Sequence, residues 1–276
     1  MAMQKNKIIA VWGNPNSGKT TLAAKIANEL SKKKKNVILV LCDNITPTVS
    51  TILPLIDTKN QSLGELLSSI QITQESILQK CITLGKNDYL SITGYLHGEN
   101  ERSYAKYSKE RVVDLFILLK HLADYIIIDC GSLISYDILS RTVLELADQV
   151  IRLISPDLKA ISFYDSCLPQ LAERKYNLQN HIKVLSNVKY TMPKDSVANR
   201  FGGVSLEIPF TEEIEKQYLE GRLFDSLVDK KSEDYVKVIN EIIASIEGEE
   251  EVPKKVKEKK KFKNPLKSLK WMGGVK

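Results

Sequence analysis

Residues 13–20 read Gly13-Asn14-Pro15-Asn16-Ser17-Gly18-Lys19-Thr20, a complete GxxxxGK[ST] pattern. The segment before it, 7–12 (KIIAVW), is an apolar run of strand length. After it, 20–32 places Leu22, Ala23, Ile26, Ala27 and Leu30 at the spacing of one helical face. A glycine-bounded loop between a strand and a helix N-terminus aims successive backbone N–H groups at one point, and the helix dipole adds positive potential there. Phosphate is the ligand such a cradle expects. Lys19 would add a point charge to the β- and γ-phosphate oxygens, and the Thr20 hydroxyl would ligate Mg2+. A chance match in a turn is the alternative, and it leaves the flanking strand and helix unexplained.

Outward from this loop, strands alternate with helices. Runs at 37–42 (VILVLC), 89–93 (YLSIT), 125–130 (YIIIDC), 149–154 (QVIRLI), 182–188 (IKVLSNV) and 204–208 predict strands. Helices are expected over 63–67, 73–82, 108–123, 158–175, 212–220 and 232–246. Ser108 caps the third of these, without the Glu or Gln of a full capping box. Strands apolar on both faces imply a parallel sheet with helices packed on its two sides. The expected fold is α/β, a doubly wound, mostly parallel sheet of P-loop NTPase type. The nucleotide-binding domain would span 1–247 and a basic tail 248–276, because after Gly248 the pattern gives way to Glu249, Glu250, Glu251, Pro253 and a lysine run.

Two carboxylates end apolar strands at the edge where ligands of open α/β sheets bind. Asp129 closes 125–129 in the form of a Walker B element, which holds magnesium, usually through water. Asp43 closes 37–42 in the same way. Alone, each would read as a turn-capping aspartate; beside the phosphate loop they read as parts of one site.

At 276 residues, 43% hydrophobic and 27% charged, the chain is ordinary globular material able to bury a large core. No apolar run approaches the ~18 residues of a membrane-crossing helix, and 1–7 lacks the apolar centre of a secretory leader. A cytoplasmic location is expected. Cys42, Cys81, Cys130 and Cys167 show no CxxC pair and no metal-like spacing to the histidines, so they read as core residues. The net charge is +6, and the tail, with ten lysines against four glutamates, carries all of it. A neutral globule with a basic extension is not a protein that coats DNA over its whole surface.

The ordered set of segments in 7–247 resembles the MinD/ParA group of P-loop ATPases, which includes the CpaE/TadZ branch. Residues 37–43 resemble that family's second strand, and the resemblance implies that Asp43 positions the attacking water. Residues 124–129 (DYIIID) are similar to its Walker B strand, with Cys130-Gly131 opening switch II. Asp148 and 155–157 (SPD) fit the family's ADxV…xPD stretch, and Asn187 takes the place of its base-contacting asparagine. Ile208-Pro209-Phe210 resembles the segment whose backbone lies against the adenine. The resemblance implies ATP and Mg2+ as ligands. The cradle would be Gly13, Asn14, Pro15, Asn16, Ser17, Gly18, Lys19, Thr20 and Thr21, with Gly131, Asn187, Pro209 and Phe210 completing the nucleotide contacts. Lys19, Asp43 and Asp129 would serve catalysis, and Thr20 and Asp129 the metal. One departure stands out: the family's loop reads KGGxGK[ST], and its first lysine reaches the partner subunit's phosphates. This chain has Asn14 there, which brings no charge to phosphoryl transfer. ATP binding with slow hydrolysis is the expectation, unless another basic residue such as Arg102 substitutes.

In the tail, Asn264 and Pro265 can open a short helix that places Phe262, Leu266, Leu269 and Met272 on one face and Lys263, Lys267 and Lys270 on the other. Trp271 flanks the stripe. Such a helix fits an anionic membrane surface, with about 1 kcal/mol from each lysine near it. A protein partner and nucleic-acid phosphates are the competing ligands. The sequence thus predicts an ATP-dependent homodimer that localises a membrane-associated assembly (pilus, secretion or division machinery) from the inner face of the membrane. Its rivals are a ParA-like DNA-partition ATPase, a nucleotide-binding scaffold without significant hydrolysis, and a small-molecule kinase, for which no acceptor site is visible.

Overall fold

The computed structural model describes residues 6–85 and 87–248; the predicted amphipathic tail helix lies outside them. Eight strands form one sheet: β1 (Lys7–Gly13), β2 (Val37–Leu41), β3 (Ile82–Leu84), β4 (Asn87–Gly94), β5 (Tyr125–Asp129), β6 (Gln149–Ile154), β7 (Ile182–Val188) and β8 (Leu206–Pro209). Their order is β3-β4-β2-β5-β1-β6-β7-β8, parallel throughout except for the antiparallel β3–β4 pair at the edge. The helices are α1 (Lys19–Lys32), α2 (Val49–Ile52), α3 (Leu63–Ser68), α4 (Gln74–Gln79), α5 (Lys109–Leu122), α6 (Ile138–Leu146), α7 (Leu158–Cys167), α8 (Lys194–Arg200), α9 (Glu212–Leu219) and α10 (Glu233–Glu247).

Strand alternation divides the apolar residues between two cores. Ile9, Val11, Leu39, Tyr125 and Ile127 pack under α1, α2 and α10. Ala10, Trp12, Val40, Ile126 and Ile128 face the opposite way, under α3 to α8. The central strands β1, β2 and β5 are buried on both faces, which is why they read as unbroken apolar runs.

The fold confirms the doubly wound expectation and corrects several elements. The helix expected over 73–82 ends at Gln79, and Ile82 instead opens the three-residue edge strand β3. The helix expected over 158–175 ends at Cys167; Pro169 follows, and the chain continues in 3-10 turns over 168–171 and 174–176. Three helices, α2, α6 and α8, were not anticipated. Ser108 does cap α5, accepting from the Arg111 N–H. No helix among the described residues is long and apolar enough to cross a membrane.

Candidate functional site

All parallel strands point their carboxyl ends to one edge, and β1 lies where the chain order turns from β5 and β2 to β6. Here a cavity of about 620 Å³ opens, at the place where doubly wound sheets bind ligands. The 13–20 loop forms its floor. Gly13 ends β1 against β6 so tightly that a Cβ would meet the Leu153 carbonyl at 2.5 Å. Gly18 takes φ +82° immediately before α1, and Asn16 adopts φ +60°, which asparagine tolerates better than most residues. Gly18 caps α1 with no side-chain bond, so the first-turn amides are left for a ligand.

Pro15, Asn16, Gly18, Lys19, Thr20 and Thr21 line the cavity. Gly13, Asn14 and Ser17 do not; they brace the loop from behind. The Ser17 carbonyl accepts the Ser186 hydroxyl. Asn14 is 4% exposed; its Nδ2 donates to Ser155 Oγ at 3.1 Å and its Oδ1 accepts the Ser155 N–H at 3.0 Å. The Lys19 ammonium donates to Ser132 Oγ at 2.7 Å, and burial lowers its pKa against the opposing pull of Asp129 and Asp43.

Thr20 and Asp129 meet: the threonine hydroxyl donates to Asp129 Oδ2 at 2.6 Å. Asp129 is buried beneath the floor, its other oxygen has no hydrogen-bond partner, and burial pushes its pKa up to about 6 against Lys19 and Thr20. A hydroxyl and a carboxylate with an unused buried oxygen, next to a phosphate cradle, suit a hard, oxygen-seeking divalent ion such as magnesium. Among the described residues no group of three or more His, Cys, Asp or Glu could hold a metal; a two-side-chain set completed by phosphate oxygens fits that finding.

Asp43 lines the same cavity, with Oδ1 accepting the Ile45 and Thr46 amides at 2.9 and 2.8 Å. Gly131 lines it too, and its N–H donates to Ser140 Oγ at 2.7 Å. Toward β8 the wall becomes apolar through Leu22, Ile208, Pro209, Phe210, Ile214, Tyr218 and Tyr235, with Asn187 (φ +57°) beside it. Lys189 stacks over the Phe210 ring at 4.1 Å. Such a surface suits a flat heterocycle at the far end of a phosphate chain. Sequence reasoning missed Ser132, Asp137, Tyr218 and Tyr235. Only Asp137 had a local signal, as an N-cap residue three positions before Ser140.

A phosphate cradle, a magnesium-type oxygen pair and an apolar slot at the carboxyl edge of a doubly wound sheet define a P-loop nucleotide-binding protein. Residues 6–184, well over half of the chain, match the family described as AAA domain, and the protein belongs to it. Its fold is that of the MinD/ParA-type P-loop ATPases. The ParA family ATPase of Chlorobium tepidum superposes with a TM-score of 0.71 at 19% identity, covering 87% of this chain and 98% of its own. MinD of Pyrococcus horikoshii, complexed with Mg-ADP, gives 0.65 at 16%, covering 87% and 95%. MinD of Aquifex aeolicus in its MinC:MinD complex gives 0.67 at 18%, covering 90% and 98%. No curated protein matches the sequence.

Proposed function

We propose that this protein is an ATP-binding, dimerising ATPase of MinD/ParA type with slow hydrolysis, which localises a membrane-associated assembly. The observation that carries the reading is the convergence of Lys19, Thr20 and Asp129 on one cradle, with the Thr20–Asp129 bond at 2.6 Å. In this reading Lys19 leaves Ser132 for the phosphates, Thr20 and Asp129 hold Mg2+, and Asp43 orients water. Gly131 answers the γ-phosphate, and Asn187, Pro209 and Phe210 receive the adenine. The bound magnesium would neutralise charge developing on the phosphates. The Mg-ADP in the Pyrococcus MinD supports this ligand assignment.

Slow hydrolysis follows from charge. Among the described residues Lys19 is the single cation lining the cavity, and Asn14 is committed to Ser155. Dimerisation is supported by large apolar side chains left exposed, Ile45 at 62% on the cavity lining, Tyr136 at 82% and Leu158 at 79%. Large apolar groups held in water favour a contact surface. The membrane assignment rests on the Phe262, Leu266, Leu269, Met272 and Trp271 pattern and on the ten lysines of the tail. A scaffold that binds nucleotide without cleaving it is the second reading, favoured by the Asn14–Ser155 lock.

Flotation on anionic vesicles with ATP and with ADP tests the membrane switch, comparing the full chain with one ending at Gly248. Binding that requires both ATP and the tail is expected; no flotation in either state moves the tail to a protein or DNA partner. Phosphate release on mixing with ATP separates the ATPase from the scaffold.

A further inference from the structure

Asp137 is a carboxylate to which the reading above assigns no task. It caps α6, with Oδ1 accepting the Leu139 and Ser140 amides at 3.0 and 3.2 Å. Its Oδ2 has no hydrogen-bond partner, although the residue is only 6% exposed. Serine or asparagine would cap the helix equally well without burying a charge, so capping does not account for the second oxygen. Asp137 belongs to the cavity wall with Asp43 and Gly131. The free oxygen lies against Gly131, where an added Cβ would come within 2.8 Å of it. In the same lining, Asp43 spends only Oδ1 on its own loop.

We propose that Asp137 Oδ2 is the second acceptor for the attacking water, alongside Asp43. This rests on the ATPase reading. A water molecule has two protons, and two carboxylates that accept them leave one lone pair free to aim at the γ-phosphorus. That pair forms the new O–P bond, and the bond to the β,γ-bridging oxygen breaks with its electrons going to ADP. One water proton remains on the phosphate product and the other passes through Asp137 to solvent. In this conformation Gly131 covers the oxygen, its N–H held by Ser140. A γ-phosphate that draws the N–H away uncovers Asp137, so the second acceptor is presented only to the triphosphate.

Asp137→Asn keeps the capping oxygen and replaces Oδ2 with an amide; Asp137→Ser keeps a cap by another route. For each full-length variant the measurements are the melting curve, the affinity for fluorescent N-methylanthraniloyl-ATP with Mg2+, and single-turnover hydrolysis. The expected result is a melt close to wild type, affinity within about threefold and cleavage slowed by at least ~100-fold. A variant that cleaves at the wild-type rate overturns the proposal and leaves Asp137 a cap. Unfolding of both variants also overturns it, by making the carboxylate structural. A wild-type protein that binds ATP and never releases phosphate fails before any variant is compared, and so removes the ATPase reading itself.

Discussion

Asn14 is buried in the phosphate loop, and both ends of its amide are bonded to Ser155 on the β6–α7 connection. The pair ties the loop to the sheet's next strand. Asn14→Ala would leave the buried Ser155 N–H unpaired, and urea unfolding should show a loss of about 1–3 kcal/mol. Lys19 is different, because its ammonium donates only to the Ser132 hydroxyl at 2.7 Å and, at 3.5 Å, to the Asn14 carbonyl. Lys19→Ala should leave the urea midpoint nearly unchanged while ATP affinity falls about 10- to 100-fold, the weight of one or two charge-assisted bonds. Titration of fluorescent nucleotide checks it. Just before β7, His181 shares a hydrogen bond with the Tyr176 carbonyl at 2.8 Å while Nδ1 has no partner. Burial lowers its pKa to about 4 from 6.5. The unfolded chain therefore binds more protons between pH 6.5 and 4, and stability drains away as pH falls through that window. His181→Gln should lose about 3 kcal/mol less over the same range, as read from unfolding curves at each pH.

Among the elements, α1 joins the phosphate loop to the apolar wall of the cavity. Lys25 reaches from α1 to Gln217 of α9 at 2.6 Å and to the Asp225 carbonyl at 2.8 Å, and Asn28 reaches the Phe224 carbonyl. Burial holds the Lys25 pKa down at about 8, from 10.5. The unfolded state then carries the extra proton between those values, so stability rises with pH from about 8 to 10.5. Lys25→Met should flatten that rise relative to wild type, measured as thermal midpoints across the range. This tie was illegible in the sequence, because Lys25 and Gln217 look like surface residues until the sheet brings α1 and α9 together. The central strands were legible for the opposite reason: burial on both faces leaves a continuous apolar run in 37–41 and 125–128. The three-residue β3 has no such signature, and its pairing with β4 shifts register after Thr83. The helix after 158 was overextended because apolar spacing continues through Leu168 and Leu171, whereas Pro169 cannot donate the bond that would carry the helix on. Within the site, Lys19, Thr20 and Asp129 were readable because chemistry fixes their spacing to a strand end or a loop. Asp137 and Ser132 depend on where a loop folds back.

Across the whole molecule, charge divides at one residue. Gly248 closes α10 with φ +82°, and among the described residues Ile246 is the last side chain of the two apolar cores. The net charge lies beyond, in the ten lysines and four glutamates of the tail. Folding and nucleotide binding should therefore be separable from surface attachment. A chain ending at Gly248 should melt within a few degrees of the full chain, since about 1 kcal/mol moves a domain of this size by only ~2–4 °C, and it should keep its ATP affinity. The full chain should adsorb to anionic vesicles with an affinity that falls as salt rises, because the lysines contribute about 1 kcal/mol each only within a Debye length of the surface. Sedimentation with vesicles at rising sodium chloride reads this directly. Retention by the truncated chain would place the attachment on the folded body, and salt-insensitive retention of the full chain would shift the weight to the apolar face of Phe262, Leu266, Leu269 and Met272.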